Sequence, residues 1–269
     1  MSSRLKKIKW LKNIVRSQFG AHLIQDVEGI VWGGRKRRAL TQALLTAQYK
    51  SKFRSNWIWA LEVPHFSDNE RFESIFNNPN NAAYTFYRGI LTTEVLKAGD
   101  SLLDIGCGDG FFVHRFYSHK CKEIDAVDID MSAIEYAKKY NSATNVNYLL
   151  LDAVNSPFPR KHYDVISWDG AIGHFSAGAN DILLSKISNA LNGSGMFVGS
   201  ESLGSEEGHD HLQFFETVHD LGSLLKKFFT HVSMREAIYP VSRHLVRREA
   251  YWRCSNASDF KDRFGWIDI

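Results

Sequence analysis

The sequence has few cysteines and no long apolar run, and each shortage excludes a class of protein. Its three cysteines, Cys107, Cys121 and Cys254, are far apart and odd in number, so they form neither a disulfide framework nor a zinc-binding spacing. No apolar stretch is long enough for a transmembrane helix. The first 20 residues lack the apolar core of a secretory signal peptide. We therefore expect a cytoplasmic protein.

The charge of the chain is distributed very unevenly. With 269 residues, 44% of them hydrophobic, the chain can hold one large domain or a core with an appendage. The net charge is +3, but residues 1–54 contain 13 lysines and arginines and only two acids, whereas residues 55–269 contain 20 basic and 28 acidic residues. A basic arm on an acidic body requires an explanation in terms of a partner.

The basic arm begins with a helical pattern. Apolar residues recur every three or four positions between Leu5 and Phe19, and basic residues occupy much of the rest. Such a helix suits an anionic membrane surface, with Trp10 at the interface, or nucleic acid. The alternative is packing on the catalytic core with a solvated basic face. If the arm binds a membrane, the protein is peripheral at its inner face.

The centre of the sequence is the segment SLLDIGCGDG, residues 101–110. Its apolar run predicts a buried strand, and its three alternate glycines predict a tight turn without side chains, followed by a helix. Strand, glycine turn and helix form the nucleotide-binding half of a doubly wound α/β sheet, with the ligand at the carboxyl ends of the strands. The dinucleotide fingerprint fails at Phe111, where glycine is required, and the P-loop lysine is missing.

An acid, Asp104, precedes the G-x-G-x-G turn and suits a ligand with a cationic amino group. This pattern resembles the first motif of the class I S-adenosylmethionine-dependent methyltransferases; a glycine-rich turn of another α/β enzyme is the alternative. The resemblance covers residues 83–269 and implies S-adenosyl-L-methionine as cofactor. It also implies a Rossmann-like, mostly parallel seven-stranded sheet that ends in an antiparallel hairpin. Residues 1–82 then form a basic, aromatic-rich helical extension, which we expect to act as a lid and to determine the acceptor.

Two further predicted strands end in acids. Asp128 lies 20 residues beyond Gly108, the spacing at which an acid meets a ribose in nucleotide-binding units. The resemblance places Asp152 or its neighbour beside the adenine amine. Three strand-end acids in this order favour the cofactor assignment. The predicted cofactor-binding residues are Asp104, Gly106, Cys107, Gly108, Gly110, Asp128, Ile129, Asp152, Ala153 and Trp168.

The segment after the fourth predicted strand carries the candidate catalytic residues. It resembles the family's fourth motif, but Gly170 and Gly173 stand where many relatives carry larger or acidic residues, a change expected to widen the cleft. Transfer of a methyl group to a hydroxyl requires alignment of the acceptor with the cofactor and a general base that removes the hydroxyl proton. His174 is the first candidate because its ordinary pKa lies near neutrality, and Asp169 is the second. Capping of the next helix is the alternative role for His174.

Four residues are predicted to contact the acceptor. Tyr84 and Arg88 lie in a helix predicted over residues 83–97, and His209 and His211 lie in a polar loop predicted over residues 201–211. A His-x-His loop is a weak metal signal, so we predict no metal. The resemblance implies methyl transfer, and we expect O-methylation of a small molecule, a sugar or a glycolipid. The alternatives are an RNA methyltransferase that uses the basic arm and a non-catalytic cofactor-binding subunit.

Overall fold

The computed structural model describes residues 79–204, 211–240, 246–260 and 267–268. The predicted basic helix, the aromatic-rich stretch and His209 lie outside these ranges, so the predicted division near residue 82 and the lid stay predictions. In the described ranges, no helix is both long and apolar enough to cross a membrane.

The described residues form a mixed sheet with the strand order β3-β2-β1-β4-β5-β7-β6-β8. Strands β1 to β5 pair in parallel, and β7 lies antiparallel between β5 and β6. The predicted seven-stranded sheet with a terminal antiparallel hairpin is confirmed, and the two-residue β8 adds to its edge. The strands are β1 Ser101–Ile105, β2 Glu123–Asp128, β3 Val146–Leu150, β4 Tyr163–Asp169, β5 Leu191–Leu203, β6 His231–Pro240, β7 Val246–Ser255 and β8 Ile267–Asp268.

Four α-helices and two short helices accompany these strands. The α-helices are α1 Pro79–Val95, α2 Met131–Tyr140, α3 Ala177–Ala190 and α4 Val218–Leu225; a π-helix covers Val113–Tyr117 and a 3-10 helix covers Ile172–His174. Helix α1 begins earlier than predicted, with Pro79 in its first turn, where the missing proline N–H costs no hydrogen bond. The helix predicted after the glycine turn continues as a π-helix, a form frequent at functional sites.

Two hydrophobic clusters fix the sheet between its helices. The larger contains residues of α3, α4 and the middle strands, and the smaller contains residues of the π-helix, α2 and β1. The central strands are therefore covered on both faces, which explains why their residues are buried continuously rather than in alternation. Their carboxyl ends, including the glycine turn after β1, remain available for a ligand.

Strand β5 is longer than the sequence predicts. The sequence predicts a polar loop from residue 201, but β5 pairs with β7 up to the register Leu203 to Arg248. The prediction that Glu201 belongs to a polar loop was therefore wrong, because pairing with a strand about 45 residues later extends β5 through it. Glu201 is buried, with 2% of its surface exposed.

Candidate active site

The glycine turn after β1 is built so that only glycine fits it. Gly106, Gly108 and Gly110 have φ angles of 71°, 54° and 77°, which side-chain-bearing residues rarely adopt. A Cβ atom at Gly110 would also lie 2.5 Å from the hydroxyl of Tyr148. The N–H groups of Gly106 and Cys107 both donate to the Val127 carbonyl, at 2.8 and 3.0 Å. The turn is thus tied to β2 and offers bare backbone to a ligand.

The acid at the end of β2 holds the same turn. The carboxylate of Asp128 accepts the Gly108 N–H on one oxygen and the Asp130 N–H on the other, each at 2.8 Å. Burial raises the pKa of Asp128 above its ordinary value. The adjacent Ile129 leaves 72% of its surface exposed. An acid beside an exposed apolar side chain fits a ligand that joins a ribose to an aromatic base.

Asp104 is a buried acid below the glycine turn. It is 5% exposed, and one carboxylate oxygen accepts the Ser167 hydroxyl at 2.5 Å. Burial, opposed by the hydrogen bond from Ser167 and aided by the nearby charges of Asp169 and Asp128, raises the pKa of Asp104 to about 8. A ligand ammonium group at this point would reverse the effect by stabilising the carboxylate.

The loop after β3 is fixed by its own hydrogen bonds. The carboxylate of Asp152 accepts the N–H groups of Val154 and Asn155 at 2.9 and 3.1 Å, and a hydrogen bond from the Asn155 side chain lowers its pKa. The ammonium group of Lys186 in α3 donates to the carbonyls of Ala153 and Val154. These hydrogen bonds hold the loop after β3 in a defined conformation. Contacts of Asp152 and Ala153 with adenine stay a prediction.

Trp168 does not face the open end of the sheet. It is completely buried in the larger hydrophobic cluster, where its ring meets Phe175 at a centroid distance of 5.3 Å. In this structure Trp168 is a core residue, because β4 lies in the middle of a sheet covered on both faces. The prediction that it contacts the cofactor did not take this burial into account.

The acid that ends β4 is held in a polar network. Asp169 accepts the hydroxyl of Ser200 at 2.9 Å and that of Tyr117 at 3.4 Å. Burial raises the pKa of Asp169 to about 6, and the charge of Arg88 opposes this increase. At neutral pH Asp169 is therefore mostly ionised, which a general base requires.

Arg88 occupies the space that Gly170 provides. Its guanidinium donates from Nε to the Glu249 carboxylate at 2.7 Å, and a Cβ atom at Gly170 would lie 2.1 Å from its Nη1. The expectation that Gly170 widens the cleft is therefore wrong, because the missing side chain makes room for the guanidinium. Arg88 is buried, with 8% exposure, and lies between the ends of β4 and β7.

The predicted catalytic and acceptor histidines lie together. The rings of His174 and His211 are 4.5 Å apart and nearly perpendicular. The Gly173 carbonyl accepts the N–H groups of Leu212 and Gln213, which anchors the His211 segment on the 3-10 helix. The alternative role of His174 as a helix cap is wrong, since the Ser176 hydroxyl caps α3.

Glu201 holds the turn that carries His174 in place. The sequence does not identify it as a site residue. Its carboxylate accepts the Gly173 N–H at 3.0 Å and the Ser202 N–H at 2.8 Å. Gly173 is closely packed, because a Cβ atom there would lie 3.1 Å from Nδ1 of His211 and 3.2 Å from the Gln213 carbonyl oxygen. In the ranges that the structure covers, no three His, Cys, Asp or Glu side chains are grouped to hold a metal ion.

Comparison with known proteins identifies the domain and the fold. Residues 102–195 match the family model of the methyltransferase domain. The chain is similar to the N-methyltransferase NodS of Bradyrhizobium japonicum, solved with S-adenosyl-L-homocysteine, with 16% identity and a TM-score of 0.55 over 71% of this chain and 93% of NodS. It is also similar to the [4+2]-cyclase SpnF, with 16% identity and a TM-score of 0.52 over 66% of this chain and 83% of SpnF. No curated protein matches it by sequence.

Proposed function

We propose that this class I S-adenosylmethionine-dependent methyltransferase transfers a methyl group to a hydroxyl oxygen of a small-molecule or sugar acceptor, with His174 as general base. The observation that carries the proposal is the His174–His211 contact on a fixed turn that directly follows β4. In open α/β sheets this is the end at which ligands bind.

The residues at the carboxyl ends of β1 and β2 fit the cofactor. Asp128 would accept the ribose hydroxyls, Ile129 would cover one face of the adenine, and Asp104 would face the ammonium group. When bound, the cofactor supplies a methyl group on a cationic sulfur, which is already activated for displacement. The protein then has to align the acceptor, exclude water and remove one proton.

The role proposed for His174 is to remove that proton. Glu201 and the His211 segment fix the turn that carries it through the N–H and the carbonyl of Gly173. A base held in this way needs little rearrangement when an acceptor hydroxyl comes within hydrogen-bond distance. Asp169 remains the second candidate base, since its pKa of about 6 also leaves it ionised at neutral pH.

The variant His174→Gln is expected to lower kcat about 100-fold while S-adenosylmethionine binds as before, because general-base assistance contributes about that much. The measurement is formation of S-adenosylhomocysteine over a panel of phenols, catechols and sugars. His219→Gln, an exposed histidine of α4, is the matched control and should keep parental activity. An unchanged kcat in His174→Gln would transfer the base role to Asp169.

Cofactor binding is expected to release a proton, because the pKa of Asp104, about 8 in the free protein, falls when an ammonium group lies beside it. Affinity should therefore fall as the pH is lowered below about 8, by up to about tenfold per pH unit. Calorimetry at pH 7 in phosphate and in Tris should give different apparent enthalpies. Asp104→Asn should remove the difference, whereas equal enthalpies for the parent would contradict the prediction.

The basic arm is proposed to hold the enzyme at an anionic membrane surface. The support is the alternation of basic and apolar residues between Leu5 and Phe19. Flotation with vesicles that contain phosphatidylglycerol, and loss of flotation when residues 1–20 are removed, would support this role. Salt-sensitive binding to RNA instead would favour nucleic acid as the partner of the arm.

A further inference from the structure

Helix α1 meets strands β6 and β7 through arginines and tyrosines, which we call the arginine–tyrosine face. The Tyr84 ring contacts the guanidinium of Arg247 at 4.0 Å, and the Tyr87 ring contacts that of Arg235 at 5.3 Å. The hydroxyls of Tyr239 and Tyr251 are 2.9 Å apart. The members of the face are Tyr84, Tyr87, Arg88, Arg235, Tyr239, Arg247, Glu249 and Tyr251.

This face is continuous with the proposed site of methyl transfer. Asp169, Ser200, Tyr251 and Arg235 stand in one register across β4, β5, β7 and β6. Three strand spacings separate the first from the last, or ~14 Å between backbones. The long side chain of Arg235 and a ring-sized acceptor can span that distance together. Arg88 links the two regions, since it contacts Glu249 and fills the space beside Gly170.

The arginine–tyrosine face contains one guanidinium group that pairs with no carboxylate of the described residues. Glu249, whose side chain is fully buried, pairs with both Arg88 and Arg247. Arg235 is exposed and, within the described part of the chain, its contact is with the Tyr87 ring and not with a carboxylate. One positive charge is thus left for a ligand.

We infer that the acceptor carries an anionic oxygen group, a carboxylate or a phosphate, which binds to Arg235 while the tyrosine rings pack on the body of the acceptor. This inference rests on the proposed function and deepens it. A guanidinium group can donate two parallel hydrogen bonds to either kind of anion. The aromatic rings give such a molecule an apolar surface beside its charged end. A neutral acceptor leaves the guanidinium of Arg235 without a counter-ion.

The test measures binding of matched probes to the full chain saturated with S-adenosylhomocysteine. The probes are 4-hydroxybenzoate, phenyl phosphate and the uncharged 4-hydroxybenzamide, titrated by calorimetry. At least one anionic probe should bind about tenfold or more tightly than the amide, which corresponds to about 1.4 kcal/mol. Which anion binds more tightly distinguishes a carboxylate acceptor from a phosphate acceptor.

Single substitutions test whether Arg235 is responsible for the preference for anionic probes. Arg235→Gln should reduce the anion preference to near equality, and Arg235→Lys should restore part of it because the charge returns. Arg115→Gln, a matched change at an exposed arginine of the π-helix, should keep the full preference. Melting temperatures should agree among these variants, since Arg235 is exposed.

Three results would overturn the inference. They are equal affinities for the anions and the amide, no binding of either anion in the millimolar range, and an anion preference that survives in Arg235→Gln. These results are distinct from failure of the proposed function. If S-adenosylhomocysteine does not bind, the proposed function fails; if it binds and methyl transfer occurs without anion preference, only this inference fails.

Discussion

Replacing Asp128 with alanine is expected to weaken S-adenosylmethionine binding about 100-fold or more. Its carboxylate holds the N–H of Gly108 and that of Asp130, so its loss frees the glycine turn as well as the proposed ribose contacts. Each hydrogen bond to a charged group contributes about 1.5–3 kcal/mol. Loss of two such contacts to the ligand therefore accounts for the expected weakening. Calorimetry of the parent and the variant measures the effect directly.

The neighbouring acid provides the control for this experiment. Asp130 caps α2 by accepting the N–H groups of Ser132 and Ala133, and it does not contact the glycine turn. Asp130→Ala should therefore lower stability by about 1 kcal/mol and leave cofactor affinity close to the parental value. Equal losses of affinity in the two variants would mean that Asp128 affects cofactor binding only by stabilising the fold and not by contacting the cofactor. A well-folded parent that binds no cofactor would overturn the assignment of the glycine turn.

The candidate cofactor-binding residues could be predicted from the sequence because the motifs that identify them are short and local. The glycines and Asp104 stand within one segment of ten residues, and Asp128 follows at a spacing set by a single strand–helix–strand unit. In the structure these residues do converge, since Asp128 binds Gly108 and Asp104 lies in the adjacent strand β1. Their contacts with a cofactor stay a prediction.

The acceptor side depends on residues that are distant in sequence. Glu249 and Arg88 are 161 positions apart and meet only because β7 inserts between β5 and β6. A glutamate in a terminal strand looks like an ordinary solvent-facing residue until a helix covers that face. Gly170 was misinterpreted for the same reason, because nothing local shows that a guanidinium fills its vacant side-chain space.

The sequence also does not show which polar side chains are buried. Glu201 lies at the polar end of an apolar strand, and only pairing with β7 shows that it is inside the sheet and beneath Gly173. His174 and His211 were each proposed separately, and the fold brings them into contact through the hydrogen bonds of the His211 segment to the Gly173 carbonyl. Periodicity identifies a strand but does not identify what packs above it.

Replacing Glu249 with alanine is expected to destabilise the fold by about 3–5 kcal/mol, the usual cost of leaving a buried charge without its partner. The Glu249 side chain is fully buried and binds the side chains of Arg88 and Arg247, which are 9% and 19% exposed. Urea unfolding with a shared m-value measures the loss. The matched control is Glu236→Ala on the same hairpin, whose partner Arg248 is 38% exposed. It should cost less than about 1 kcal/mol, because water already solvates that pair.

A double variant separates the stability of this ion pair from its function. In Arg88→Met with Glu249→Leu, both charges are replaced by apolar groups, so much of the lost stability should return. The rate of methyl transfer should nevertheless fall, because Arg88 lies against Gly170 at the end of β4 and Glu249 also pairs with Arg247. If Glu249→Ala and Glu236→Ala cost the same free energy of unfolding, the ion pairs of Glu249 contribute no more to stability than a surface pair, and this prediction is wrong.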